Sequence, residues 1–504
     1  MHDSLQGYYT GWCTAAGENF AKGQLADGDF YVYYSLDEHG EAKVPRIAIR
    51  MDGHYKIGEI RGIAQSQNME PEMLPILNEK LKAFPDKDEY LKKEEDMKLL
   101  TLIDNKMNKG IELDFDELTF LYEVKSKING FGHGKDPRID EIRAKRDVKN
   151  DCSILFSVFT KYEGNLNLNY LTTAQGLVLP KEFNGKLDLN GLTSGNDLVL
   201  PEKFRGSLEL NGLTITQNLV LPKDFNGCLE LNGLTKVETL LVPQKFNGKL
   251  KLRNLTDASG VIFPEEFNGD LELGSLSTTD GLVLPKKMNG WLDLNDLSSA
   301  ENLVLPKEFN GGIRANSLKS AKGLVFPEKM DKDLLLDGLT SADGLILPEV
   351  VGGKLSLNGL TKVDKLVLPK KCSALNLMGL VDATGVVFPE EFKGNLELVS
   401  LSTTDGLVLP KKMNGWLDLN GLSSAKNLVL PKEFHGSIRA NNLKFAKGLV
   451  FPEKIDGALL LDGLTSADGL ILPEIVEGEL SLNGLTKVDK LVLPKKCKNL
   501  NLMN

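Results

Sequence analysis

The sequence predicts a β-rich solenoid of 21-residue leucine-rich coils over residues 166–504, with a small α+β domain ahead of it. Three observations carry this. The segment Leu187-Asp188-Leu189-Asn190-Gly191-Leu192-Thr193 returns as Leu208-Glu209-Leu210-Asn211-Gly212-Leu213-Thr214 and keeps returning every 21 residues. Proline holds one place in the unit, from Pro180 and Pro201 to Pro494. Residues 1–150 show no such period. A unit this short cannot bury its apolar residues alone, so neighbours must stack and close a continuous core.

Coils start at 166, 187, 208, 229, 250, 271, 292, 313, 334 and 355, then at 375, 396, 417, 438, 459, 480 and 500, giving sixteen complete coils and a stub. The step is 21 except for 20 at 355→375 and 480→500. A longer period overlies this one. Residues 250–374 recur as 375–499 with an offset of 125, so that Ser277-Thr278-Thr279-Asp280-Gly281 matches Ser402-Thr403-Thr404-Asp405-Gly406 and Cys372 matches Cys497. A block of six coils is therefore duplicated.

Within a coil, Leu187, Leu189 and Leu192 alternate as a short strand does, and Leu198-Val199-Leu200 forms a second apolar run. About five buried aliphatics per coil, at roughly 2 kcal/mol each, drive the stacking, and chain-ordering entropy offsets most of it. Pro201 and its equivalents should end the second strand, since proline cannot donate to a ladder. Asn184-Gly185 and Asn226-Gly227 are expected to supply a turn before the next coil. Asn169, Asn190, Asn211 and Asn232 form one register and are expected to hydrogen-bond as a corner ladder. These motifs resemble bacterial leucine-rich-repeat-like proteins. The asparagine here follows the second leucine directly (Leu189-Asn190), a departure that favours a straighter solenoid. The resemblance implies an interaction scaffold.

In the N-terminal region, Trp12 to Gly23 reads as a short helix, and Phe30–Tyr34, Arg46–Arg50 and Ile57–Arg61 as three strands of a meander. Turns fall at Asp37-Glu38-His39-Gly40 and Asp52-Gly53. From Pro71 the pattern turns helical, with Met73, Leu74, Ile76, Leu77 and Leu81 on one face, then Met97, Leu99, Leu100 and Ile103. Further helices are expected over Asp114 to Ile128 and Ile139–Lys145, with a loop over Gly130 to Pro137. This divides the chain into an α+β module (1–110), a helical connector and N-terminal cap (111–165) in which Leu155, Phe156, Val158 and Phe159 cover the first coil, and the solenoid (166–504). Cys13, Gly28–Ser35, Arg46–Met51, Glu59-Ile60-Arg61-Gly62 and Asn68 resemble the C-terminal module of PcfJ-like proteins of plasmids and phages, a resemblance that implies no activity.

Net charge is −10, from 60 basic and 70 acidic residues, a balance that argues against broad nucleic-acid binding. No apolar run reaches the length of a membrane-spanning helix, and no signal peptide is expected. Cys13, Cys152, Cys228, Cys372 and Cys497 are odd in number and lack CxxC spacing, which points to reduced thiols and a cytoplasmic protein. His2, His39, His54, His133 and His435 show no metal spacing, so no metal or cofactor is expected.

Cys13 at a helix start, with His54 or His39 as base, is the candidate nucleophile, set against a buried structural thiol beside Trp12. Arg46, Arg50 and Arg61 alternate with apolar residues, which would place them on one sheet face able to hold a phosphate or carboxylate. On the solenoid, the residue between paired leucines should point outward: Asp188, Glu209, Glu230, Lys251, Glu272, Asp293 and Arg314 form a mostly acidic stripe for a basic protein partner, or a merely solvated face. Three readings follow: a non-catalytic interaction scaffold presenting this polar face, an activity in the N-terminal module with the solenoid selecting its partner, or a structural protein assembling through solenoid ends. A homodimer through the strand carrying Leu500 and Leu502 belongs to the last.

Overall fold

The computed structural model describes residues 18–63, 69–131, 135–276, 278–301, 303–426, 428–447 and 449–502. It divides into two compact units, Met1–Val158 and Phe159–Asn504.

Among the described residues, the first unit opens on the helix Glu18–Asp27, which runs four residues past the expected end at Gly23, and continues with the antiparallel meander Phe30–Leu36, Ala42–Asp52 and Lys56–Gly62, the three strands that alternation and turn chemistry predict. Asp37 makes the first turn by accepting the backbone N–H groups of His39 and Glu41, both at 2.9 Å. Ile47, Ile49, Met51 and Ile57 pack with Leu77, Leu81 and Tyr90, which come from the helices Leu74–Leu81 and Lys87–Asn108. Leu74 and Ile76 remain exposed, so the apolar face of the first of these helices is narrower than its sequence suggests.

The helix expected over Asp114 to Ile128 is only Phe115–Leu121. An Asp114–Glu117 capping box starts it, and Glu123, at φ 55°, ends it: the N–H groups of Glu123 and Val124 turn back to the Phe120 and Thr119 carbonyls at 2.8 and 3.0 Å, while the buried Arg143 Nε donates to the freed Leu121 carbonyl at 3.0 Å. Pro137–Ala144 follows as expected, and Val148–Val158 is a further helix. Asp151, fully buried on that last helix, accepts Arg146 Nε and Nη2 at 2.7 and 2.8 Å and the Tyr122 hydroxyl at 3.0 Å. A buried carboxylate needs such a set of partners.

The second unit is a parallel β-solenoid of about sixteen turns, as the period predicts. Equivalent residues pair directly: Phe183↔Phe204, Phe204↔Phe225 and Phe225↔Phe246. The unit starts at Phe159, before the first leucine of the pattern, because Lys161–Glu163 already pairs with Glu182–Asn184 and places Tyr162 at the head of the phenylalanine column. Leu187, Leu189, Leu192, Leu198 and their equivalents fill the interior. From Asn190 onward the asparagine register is the expected corner ladder: the N–H of Asn211 donates to Asn190 Oδ1 at 2.8 Å, and that of Asn232 to Asn211 Oδ1 at 3.0 Å, whereas the N–H of Asn190 itself donates to Asp188 Oδ1 at 3.1 Å and not to Asn169.

Two expectations fail here. Asn184-Gly185 is not a turn but the middle of the strand Glu182–Asp188, and Asn226-Gly227 likewise lies within Asp224–Glu230. Gly206 and Gly227 take φ of 129° and 151°, and a Cβ on Gly227 would collide with the Gly206 carbonyl of the coil before. The glycine is there for close approach between coils, not to reverse the chain. The Leu198-Val199-Leu200 run is also not wholly internal: Leu198 is buried, whereas Val199 faces outward at 74% exposure. Each 20-residue coil drops its residue at the strand glycine. Val476 pairs with Cys497 at the full step, but Glu479 pairs with Asn499 at the shorter one.

Candidate functional site

Strand alternation fixes which solenoid residues face outward. In Lys249–Lys251 paired with Asp270–Glu272, Leu250 and Leu271 go in while the residues on either side go out. The outward registers immediately before and after this leucine form the polar face.

The acidic stripe lies on this face but is paired within the protein. Glu209 Oε1 takes Lys186 Nζ at 2.8 Å and its Oε2 takes Asn190 Nδ2 at 3.1 Å. Glu230 is held by Lys251 Nζ at 2.5 Å and Asn211 Nδ2 at 3.2 Å, and Glu272 by Lys249 Nζ at 2.7 Å and Arg253 Nε at 2.6 Å. Burial pushes the Glu230 and Glu272 carboxyls up, but these donors outweigh it and hold both below the ordinary range. Asp188 and Glu272 are themselves nearly buried. A basic partner would have to displace the protein's own cations, so the stripe is less a free charged row than a seam between coils.

The distinctive cluster lies one register away. Trp291 stands on the outward side of Leu292, Asp293 follows it, and Arg314 of the next coil reaches back over both. The Arg314 guanidinium sits 5.1 Å from the Trp291 ring centre, and its Nη1 is 3.2 Å from Asp293 Oδ2. A cleft of about 160 Å³ opens beside it, lined by Lys249, Asp270, Leu271, Glu272 and these three residues. The duplicated block rebuilds the cluster: Arg439 lies 5.2 Å from the Trp416 ring, and its Nη1 is 3.5 Å from Asp418 Oδ2. Trp416 remains 40% exposed. Sequence reading singled out Asp293 and Arg314 but missed both tryptophans, although the 125-residue offset aligns them.

In the first unit, Arg46, Arg50 and Arg61 do share a sheet face, since Arg61 pairs opposite Ala48 between the other two. Each already holds a carboxylate: Arg46 Nη1 donates to Glu70 at 2.9 Å, Arg50 Nη1 to Asp52 at 2.5 Å, and Arg61 Nε to Glu59 at 2.5 Å. Cys13 lies outside the described residues. His54 is exposed, with Nδ1 3.2 Å from Asp29 Oδ1. Among the described residues no group of three or more His, Cys, Asp or Glu side chains is placed to hold a metal ion, and no helix is long and apolar enough to cross a membrane.

Burial pushes the Cys152 and Cys372 thiols up to about 12. Alkylation of the folded protein at pH 8 should therefore spare both, and peptide mass mapping should find them modified only after denaturant is added.

No family model matches the chain, and no curated protein or solved structure is similar to it.

Proposed function

We propose that the protein is a non-catalytic interaction scaffold whose solenoid presents its polar face to a protein partner. The observation that carries this reading is the twofold Trp–Asp–Arg cluster, with the same stacking geometry at Trp291 and Trp416. Tryptophan and arginine are the side chains that most often dominate protein–protein binding energy, because a large rigid ring and a planar cation offer much contact for little lost freedom. Charge seams between coils need neither. Two equal clusters on one chain also suit a repetitive partner, since the second contact becomes intramolecular once the first has formed. The leucine-rich-repeat-like resemblance points the same way.

The test compares partner capture by the full chain and by its Trp291→Ala, Trp416→Ala and double variants. Each single change should weaken capture and the double change should abolish it, with a melting temperature close to the parent's, because Trp416 is exposed and Trp291 only partly buried. Cys13→Ala should capture the same set as the parent. Undiminished capture by the double variant would overturn the reading.

A further inference from the structure

The outward residue of the second apolar run is aliphatic in every coil. From Val178 to Val492, all sixteen coils place valine, isoleucine or leucine there, at exposures of 39% to 75%. The positions pair coil to coil, as in Val304↔Val325 and Val325↔Ile346, so they form one ridge and not scattered spots. β propensity alone does not account for this. Threonine has the same branched shape and the same preference for strands, yet no coil uses it. Covering the ridge would remove on the order of 1,000 Å² of apolar surface, above the ~800 Å² per partner of a standard interface.

We infer that this ridge is a self-association surface and that its occupant is the ridge of a second copy of the chain. Spacing is the first argument. Adjacent ridge residues are one parallel strand apart, about 4.8 Å. Side chains on one face of a helix return every ~5.4 Å, and those on one face of an extended strand every ~6.6 Å, so either would fall out of step within a few coils. Another parallel ladder stays in step throughout, and a second copy supplies one. Charge is the second argument. Three residues further along each coil, after the proline, lies a row of eight lysines, seven glutamates and one glutamine. Within the chain this row already pairs across coils, as in Lys286–Glu265 at 2.6 Å and Lys370–Glu349 at 2.7 Å. A row so balanced lacks the basic excess that draws a protein to an anionic lipid surface. The ridge lies on a different register from the tryptophan clusters, so this inference stands apart from the scaffold reading.

Sedimentation velocity on the full chain over a concentration series tests it. The parent should form concentration-dependent dimers. The triple change Val304→Glu, Val325→Glu and Ile346→Glu should raise the dimer dissociation constant at least tenfold. Threonine at the same three places, which keeps the branched shape, should weaken the dimer with an unchanged melting temperature, and it decides the matter if the glutamate variant folds poorly. Leu500→Glu with Leu502→Glu should leave the dimer intact. The inference is overturned by a parent that stays monomeric, including one that instead floats with phosphatidylcholine vesicles. It is equally overturned by ridge variants that dimerise as the parent does, or by loss of the dimer on changing Leu500 and Leu502.

Discussion

Gly227→Ala should destabilise the solenoid by about 2–5 kcal/mol, although it adds one methyl group. Two effects combine. At φ 151° a side chain is strained, typically by about 1–3 kcal/mol. The new Cβ would also overlap the carbonyl of Gly206, and relieving such overpacking costs about 1–3 kcal/mol more. The obstacle is backbone, so no side-chain rotation relieves it and the coils must part. Because each coil touches only its neighbours, the damage should stay local. Hydrogen exchange should show lost protection first in Lys203–Glu209 and Asp224–Glu230, with distant coils still protected. Gly323→Ala is the control. Gly323 also has positive φ, at 83°, but nothing lies where its Cβ would go, so only about 1 kcal/mol should be lost. Equal effects at the two positions would show that conformation, and not close approach between coils, places glycine in the strand.

That same glycine shows where sequence reading stops. The period, coil boundaries, asparagine ladder and leucine core were legible because each depends on identical residues meeting their copies one coil away. Asn184-Gly185 carries good local turn chemistry, and only the coil stacked before it, with the Gly164 carbonyl against Gly185, reveals a strand. Val199 sits in a Leu-Val-Leu run that reads the same whether its centre is buried or exposed. In the first unit the meander followed from alternation and turn residues. The end of the helix at Leu121 did not, since the positive φ that ends it falls on Glu123, where no glycine marks it, and Arg143, far along the chain, holds the freed Leu121 carbonyl. The helix Val148–Val158 did leave a signal, because Val148, Cys152, Leu155 and Phe156 repeat at helical spacing and all are buried. At the polar face, Asp293 and Arg314 were legible as a register. Their neighbour Trp291 belongs to the register before, and the stacking that joins them exists only between coils.

Phe225→Ala should destabilise the array by about 3–5 kcal/mol through the cavity it leaves, and the phenylalanine column predicts how that loss depends on its neighbours. Phe183, Phe204, Phe225 and Phe246 are buried and stacked face to face, with centroids 5.1–5.3 Å apart and planes within 4° of parallel. Phe225→Met should be far milder, under about 1.5 kcal/mol, because methionine fills a similar volume. The chain itself puts Met288, Met330 and Met413 in this register. Urea unfolding of the single variants checks both values. A double-mutant cycle then checks the mechanism. Phe225 and Phe246 touch, so the Phe225→Ala/Phe246→Ala pair should deviate from additivity by about 0.5–1.5 kcal/mol. Phe183 and Phe267 are separated by three intervening rings, and Phe183→Ala/Phe267→Ala should be additive. Coupling in the first pair but not the second is what a column of nearest-neighbour contacts requires. Equal coupling in both would mean that the coils yield as one body and that the period seen in the sequence is not the unit of cooperativity.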